Sequence, residues 1–411
     1  MGSTISRLKG AFDPPEVAKG EGVLRFGILG AANIAPMALV GPAKTHPEVV
    51  VQAVAARNPQ KASAFAEKHG IPEVKASYQE IVDDPTIDCV FIPLANSLHF
   101  EWAVRAVRAG KHVLLEKPSV ANATEAEILF HLPELSQPNA PVLMEAFHNR
   151  FHPAWALFRS LVNPGDVVHV VARSMIPWWY VAKDGIEFNY SLAGGTMMHM
   201  GTYSFAALRS VFDAQPEECV SCDVSTSSNK THDSDKIDTD FKAKFRFPNG
   251  GIGEAQSTLK GPTIWTPSNV TVTHREVMVE DGKLPSSQHK FQTREVTLHG
   301  FIQAIVWHRI DIKDVFQIRS TTDGKVIKKW GEKESLKAYT FRDAGGAFSD
   351  LPGEPFWMSY RHQLEQFVNR IKGRETQHWV DGEDSIDQMR MMDMAYEKSG
   401  LGRRPTTGTY T

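Results

Sequence analysis

Four places in this sequence carry residue types whose spacing could do chemistry. The first is Gly27-Ile28-Leu29-Gly30-Ala31-Ala32-Asn33-Ile34-Ala35. It reads as a strand turning into a helix, with Gly30 where a side chain would obstruct the turn and Ala35 where only a small residue fits between helix and strand. Ala32 holds the middle position, where backbone N–H groups must approach a pyrophosphate; one methyl group is the least addition possible. Alone, Gly-x-Ala-x-x-Ala fits any strand-to-helix turn. The second place is Arg57, in Ala55-Ala56-Arg57-Asn58. An NAD-binding strand usually ends in a carboxylate for the ribose hydroxyls, and none stands here. A guanidinium can pair with a 2′-phosphate, which favours NADP; the bland alternative is a solvated loop arginine. Third is Glu116-Lys117-Pro118, directly after an apolar run, and fourth is the pair His199 and Tyr203.

The elements that must position these residues follow from periodicity. Strands are expected at 23–29, 49–56, 88–94, 112–115 and 141–146, with helices from about 33, after Asn58-Pro59 as far as Gly70, and over 96–110. Ser77-x-x-Glu80 and Thr124-x-x-Glu127 resemble capping boxes for two more helices. Short apolar strands alternating with helices imply a parallel sheet covered on both faces, whose ligands sit at the carboxyl ends of the strands. Lys117 lies on that edge. From about residue 165 the texture changes to alternating runs, Val167 to Met175, Asp238 to Phe247 and Asn269 to Val279, which read as antiparallel strands. Two helical segments, 356–372 and 384–398, follow. The fold class is therefore α/β plus α+β. A loosely held arm is expected at 1–22, a dinucleotide-binding domain at 23–150 and a substrate and dimerisation domain at 151–411.

If residues 196–212 are helical, Met198, Phe205, Leu208 and Phe212 form an apolar stripe, and His199 and Tyr203 lie roughly 40° apart on nearly the opposite face. An i, i+4 polar pair facing away from a core is either solvated or lines a site.

Composition excludes several functions. The chain has 411 residues, 42% hydrophobic and 23% charged, with 45 basic against 48 acidic residues and a net charge of -3. No basic footprint for nucleic acid is visible, and a small, nearly neutral ligand fits better. Three cysteines argue against a disulfide framework and for a reducing compartment. Cys219-Val-Ser-Cys222 has zinc-knuckle spacing without a second pair and reads as plain strand, so no metal is expected. No apolar run reaches membrane-spanning length and no secretory signal opens the chain, so a cytoplasmic protein without a membrane span is expected. The sequons at Asn122, Asn229 and Asn269 then carry no glycosylation meaning. Met1-Gly2-Ser3-Thr4-Ile5-Ser6 fits the loose N-myristoylation pattern, read here as chance resemblance.

These motifs, with Ile92-Pro93-Leu94-Ala95-Asn96-Ser97-Leu98-His99, Glu145-Ala146-Phe147-His148-Asn149-Arg150-Phe151-His152-Pro153 and Gly194-Gly195-Thr196-Met197-Met198-His199-Met200-Gly201-Thr202-Tyr203, resemble the glucose-fructose oxidoreductase and inositol dehydrogenase family (Gfo/Idh/MocA). Within it, the branch of dimeric dihydrodiol dehydrogenases and fungal NADP-dependent D-xylose 1-dehydrogenases is the nearest. The resemblance implies a Rossmann domain, an open-faced antiparallel sheet domain, NADP as cofactor and a homodimer. It implies Lys117 and Tyr203 as catalytic residues, the phenol exchanging a proton with a sugar or diol hydroxyl while hydride passes to nicotinamide. An unperturbed phenol has a pKa of about 10, so an ammonium is needed to stabilise its ionised form. Cofactor contacts are expected from Gly30, Ala32, Asn33, Ile34, Arg57, Pro93, Asn96, His99, Glu116 and Lys117. His199 departs from the aspartate of many relatives. It orients sugar hydroxyls, tunes Tyr203 or bonds a loop carbonyl. Trp178 and Trp179 either wall a substrate pocket or pack in the core, and Phe147 is a further substrate contact. His148, Arg150 and His152 also suit a helix start. The alternative to D-xylose or a similar aldose is a trans-dihydrodiol. The alternative to an enzyme is a regulator that senses nucleotide and sugar.

Overall fold

The computed structural model describes residues 2–182, 185–227, 233–262 and 268–406. The first half alternates β1 (Leu24–Leu29), β2 (Val49–Ala55), β3 (Glu73–Lys75), β4 (Cys89–Ile92), β5 (His112–Leu115) and β6 (Leu143–Glu145) with helices. The six strands form one parallel sheet in the order β3-β2-β1-β4-β5-β6. Strand order reverses between β1 and β4, and the crevice outside their carboxyl ends is where such sheets take ligands. Phe26, Ile28, Leu29, Val90, Phe91, Ile92 and Leu115 are almost wholly buried, as strands covered on both faces must be.

Local signals set the helix ends. Asn58 Oδ1 accepts from the Lys61 N–H at 2.9 Å, and Gly70 closes the same helix at φ +66°. Ser77 accepts from the Glu80 N–H at 3.2 Å. The box expected at Thr124 lies two residues earlier: Asn122 caps the helix Ala123–Phe130 and the Glu125 carboxylate accepts from the Ala121 N–H at 2.9 Å. Behind the first turn, the helix begins at Pro36 rather than 33 and starts as a π-turn, Pro36–Val40.

The second sheet contains β7 (Val167–Pro177), β8 (Glu218–Thr226), β9 (Asp238–Arg246), β10 (Ile252–Gly261), β11 (Asn269–His274), β12 (Val277–Val279), β13 (Gln288–His299), β14 (Arg309–Ser320) and β15 (Val326–Leu336). Its order is β15-β14-β13-β11-β7-β10-β9-β8, with β12 on β13. All pairs are antiparallel except β7 with β10, because the chain leaves β7, crosses through the helix Thr202–Phe212 and the hairpin β8–β9, and returns alongside. Strict alternation of buried positions along β10 and β11 marks a sheet with one face on the core. Cys219 and Cys222 stand on β8 as unpaired thiols. The sequon at Asn229 lies outside the described residues.

Two features differ from the expected organisation. The helix Gly2–Phe12 replaces the outer part of the loose arm: Arg7 is buried, donates to the Ile305 carbonyl and holds its guanidinium 3.6 Å from the centre of the Tyr339 ring. The helix Ser359–Ile371, late in the chain, packs back on the first sheet, with Phe367 6.1 Å from Phe26 and Arg361 Nε donating to Thr45 Oγ1 at 3.0 Å. Among the described residues no helix is long and apolar enough to cross a membrane.

Candidate active site

Lys117 leaves the carboxyl end of β5 and reaches across to the second half of the chain. Its loop is braced by His99, which is buried with Nδ1 2.9 Å from the Pro118 carbonyl and Nε2 3.0 Å from that of Leu94. Burial pushes this imidazole down to about 4. His99 was expected toward the nicotinamide; its ring is committed instead to the backbone of the two loops that end β4 and β5. Lys117 Nζ donates to the His199 carbonyl at 2.8 Å and lies 4.8 Å from the centre of the Tyr203 ring. Burial lowers the ammonium pKa, opposed by the charges of Glu116, Glu187 and Glu145. Glu116, buried beside it, is pushed up to about 7 by burial.

The helix bearing Tyr203 is not uniform. A π-turn spans Met197–Gly201 before the α-helix Thr202–Phe212 begins. Wider turns of this kind concentrate at functional sites. Three carbonyls around it accept from side chains: His199 from Lys117, Met200 from Ser174 Oγ at 2.7 Å, and Thr202 from Gln388 Nε2 at 2.9 Å. The helix Thr202–Phe212 is buried on nearly every side, so Tyr203, 4% exposed, is not solvated and packs beside Lys117. Its hydroxyl lies 2.9 Å from His148 Nε2, and Phe147 meets its ring edge-on at 6.2 Å. Burial, with the Glu116 charge second, holds the phenol well above its ordinary pKa. The Lys117 ammonium lies over the Tyr203 ring, while burial and the Glu116 charge oppose ionisation of the phenol. His199 lies 3.7 Å from Glu187 and is held down to about 3 by burial and the Lys117 charge.

Behind the Gly194-Gly195 turn lies a group that residue spacing does not reveal. Asp238 and Arg404, both fully buried, pair at 2.6 Å. Asp238 also accepts from the Met197 N–H at 2.7 Å and from Tyr396 at 3.2 Å, and Arg404 Nε donates to the Gly194 carbonyl at 3.0 Å. Gly195 has φ +122°, and a Cβ there would sit 2.2 Å from Asp238 Oδ1. Both halves of the molecule meet here, since Asn96 Nδ2 donates to the Ala193 carbonyl at 3.0 Å.

The first turn fits a dinucleotide. Gly30 has φ +109°, its N–H bonds the Ala55 carbonyl at 2.7 Å, and a Cβ would press on Leu94 at 3.0 Å. Ala31, Ala32 and Ile34 are half-buried, Asn33 is exposed and Ala35 is sealed against the strand. Pro93 follows β4 on the same edge. Arg57, just past β2, is exposed, and no carboxylate pairs with it among the described residues. Trp178 and Trp179 are 55% and 56% exposed, which removes the core-packing alternative. Neighbouring Tyr180 is close enough to Tyr360, whose ring backs the site, to act on it electrostatically.

The sequence and fold are similar to those of known proteins. The profile described as "Oxidoreductase family, NAD-binding Rossmann fold" matches residues 24–137, and that of the "GFO/IDH/MocA C-terminal domain" matches 163–312. The D-xylose 1-dehydrogenase (NADP(+)) 2 of Haloferax volcanii is 29% identical over 381 residues, 92% of this chain and 98% of that protein. The trans-1,2-dihydrobenzene-1,2-diol dehydrogenase of Xenopus tropicalis is 30% identical over 203 residues, 48% of this chain and 59% of that protein. Among solved structures, a 3-ketoreductase from Actinomadura kijaniata, determined with NADP and TDP-benzene, superposes with a TM-score of 0.64 at 21% identity, covering 92% of this chain and 98% of its own.

Proposed function

The chain belongs to the Gfo/Idh/MocA family of oxidoreductases, and from that membership we infer that it is an NADP-dependent dehydrogenase oxidising the C1 hydroxyl of D-xylose or a similar aldose. One observation carries the reading: Lys117, from the carboxyl edge of the first sheet, and Tyr203, from a helix of the second half, meet within 4.8 Å. The dehydrogenase relative that spans nearly this whole chain bears NADP(+) in its name. NADP, when bound, supplies the hydride acceptor. The turn after Gly30, Ala31 to Ile34, would receive the pyrophosphate through backbone N–H groups, and Arg57 would take the 2′-phosphate as a charge-assisted pair.

Tyr203 is the acid/base. Burial favours the neutral phenol, which is suited to donate a proton to a developing alkoxide; to accept one from a carbinol it must pass its own proton on. Lys117, pinned by the His199 carbonyl, holds positive charge against the ring and lowers the cost of negative charge on the phenolic oxygen. His199, with Nε2 3.7 Å from a Glu187 oxygen, stands at the same end of the cleft to meet sugar hydroxyls. A second reading, oxidation of a trans-dihydrodiol, is favoured by Trp178, Trp179 and Tyr180, whose exposed rings suit an aromatic substrate. The outer face of the second sheet is the surface for a homodimer, which sedimentation velocity tests directly.

The deciding experiment assays a panel of aldoses and trans-dihydrodiols with NADP and NAD, with wild type and Tyr203→Phe. D-xylose turnover with NADP, abolished in the variant while NADPH still binds, is the expected outcome. Undiminished activity in Tyr203→Phe would refute the mechanism, and turnover of dihydrodiols alone would move the substrate assignment.

A further inference from the structure

Three elements converge on the buried ring of His148. It opens the short turn His148–Phe151 after β6, with Nε2 2.9 Å from the Tyr203 hydroxyl and Nδ1 2.7 Å from Ser359 Oγ at the start of the helix Ser359–Ile371. Tyr360 stacks on it at 3.9 Å with 23° between planes, and Tyr203 stands edge-on at 5.6 Å. The ring is fully buried and cannot turn without losing both hydrogen bonds. Phe147 on one side and Tyr360 on the other shield the contact with Tyr203 from water.

We propose that His148 is a positioning residue that acts through Tyr203, receiving the phenol's own proton when Tyr203 accepts one from a substrate hydroxyl. This rests on the reading of Tyr203 as acid/base. A serine hydroxyl both donates and accepts, so Ser359 can receive the Nδ1–H and leave the Nε2 lone pair toward Tyr203. The phenol hydrogen then points at His148, and an oxygen lone pair is left for the substrate. The step balances. The carbinol loses its C–H electron pair and hydrogen as hydride to the nicotinamide and becomes a carbonyl. Its O–H proton goes to Tyr203 Oη, and the former phenolic proton goes to His148 Nε2, giving an imidazolium still bonded to Ser359. The groups facing this ring are Lys117, Tyr203, Ser359 and Tyr360, with Glu116 acting on both tyrosines and His152 next along the chain's own turn. Burial and the Lys117 charge hold His148 down to about 3, so the ring rests neutral with its Nε2 lone pair toward Tyr203, and in the reverse reaction the imidazolium returns the proton to the phenol as the phenol donates to the substrate oxygen.

Single-turnover rates with D-xylose and NADP in mixtures of light and heavy water test this, using wild type, His148→Phe, His148→Gln and Tyr203→Phe. Two protons in flight make the wild-type dependence on deuterium fraction curved. His148→Phe keeps a stacking ring but no nitrogen; its rate falls roughly tenfold or more and its dependence becomes linear, with NADPH affinity held within about twofold. His148→Gln, which restores an acceptor, recovers part of the rate. A His148→Phe enzyme with the wild-type rate and curvature, beside an inactive Tyr203→Phe, overturns the proposal alone. An active Tyr203→Phe instead overturns the acid/base reading beneath it. A readout without turnover, or with a poorly folding His148→Phe, is the imidazole nitrogen resonance of His148: a pyridine-type Nε2 that shifts in Tyr203→Phe supports the contact, and a protonated, unresponsive Nε2 overturns it.

Discussion

Replacing Asp238 with alanine should cost this protein about 5–7 kcal/mol, because it strands a buried cation and two hydrogen-bond donors. Arg404 and Asp238 are both fully buried and 2.6 Å apart. Without the carboxylate, the guanidinium keeps the Gly194 carbonyl as its hydrogen-bond acceptor and has no other ion-pair partner among the described residues. Breaking one side of a buried pair costs about 3–5 kcal/mol, and the bonds from Met197 and Tyr396 add about 1 kcal/mol each where nothing replaces them. Even with Arg404 against it, burial pushes the Asp238 carboxyl above its ordinary range, so desolvation outweighs attraction. Removing both charges together should therefore be tolerated: Asp238→Leu with Arg404→Met recovers most of the loss. Urea unfolding at neutral pH followed by fluorescence measures all three proteins. Loss below about 1 kcal/mol in Asp238→Ala, or a double variant less stable than the single, refutes the reasoning. The same variant loosens the turn at Gly195, so kcat should fall while affinity for NADP holds.

Three further outcomes follow from the geometry. Arg57→Ala should raise the Kd for NADP roughly tenfold to hundredfold, the worth of about 1.5–3 kcal/mol for a charge-assisted bond, and leave NAD unchanged by fluorescence titration. Gly201→Ala would place a Cβ 2.5 Å from Phe241, which stacks on Phe205, and this overpacking should cost about 1–3 kcal/mol in thermal unfolding. Stability should fall as pH drops from 6.5 toward 4.5. Burial holds His46, His148, His199, His362 and His378 at about 3 and His99 and His308 at about 4. Their contribution is present above the ordinary histidine value and is lost below it as the unfolded chain takes up protons. Glu116 and Glu145, raised to about 7, and Asp393, raised to about 6, act oppositely and gain over the same window, but they are three groups against seven. A urea midpoint that rises on acidification would contradict this.

Much of the first sheet was legible because its strands are short, apolar and bounded by helix caps; Asn58 and Gly70 end their helix as the residue types demand. β3 was not, since Glu-Val-Lys on an edge carries no burial signal. The Asn122 cap was missed because Thr124 offers an equally good local pattern and only tertiary contacts choose between them. Lys117 and Tyr203 were found through motifs, and the distance between them required the fold. The π-turn escaped because nothing in Met197-Met198-His199-Met200-Gly201 announces a wider turn except Gly201, whose added Cβ would meet Phe241. Asp238 and Arg404, separated by 166 positions, leave no trace in any local window. His148 stood in a motif that equally suits a helix start, and its use depends on Ser359 from far along the chain.

Arg404 touches more than the turn it braces, because its own carbonyl accepts from Asn122 Nδ2 at 3.0 Å in the first half of the molecule. Residues that belong to the centre are thus synthesised early, but the segment that locks both halves around them emerges only after the helix Gly382–Ser399. During translation the first sheet can form while the ribosome is still at work, whereas the cleft stays unfinished until this late segment arrives. A chain that has not yet reached residue 404 lacks both the partner of Asp238 and the brace on the Gly194 carbonyl, so the turn that precedes Tyr203 is held only once that segment has emerged.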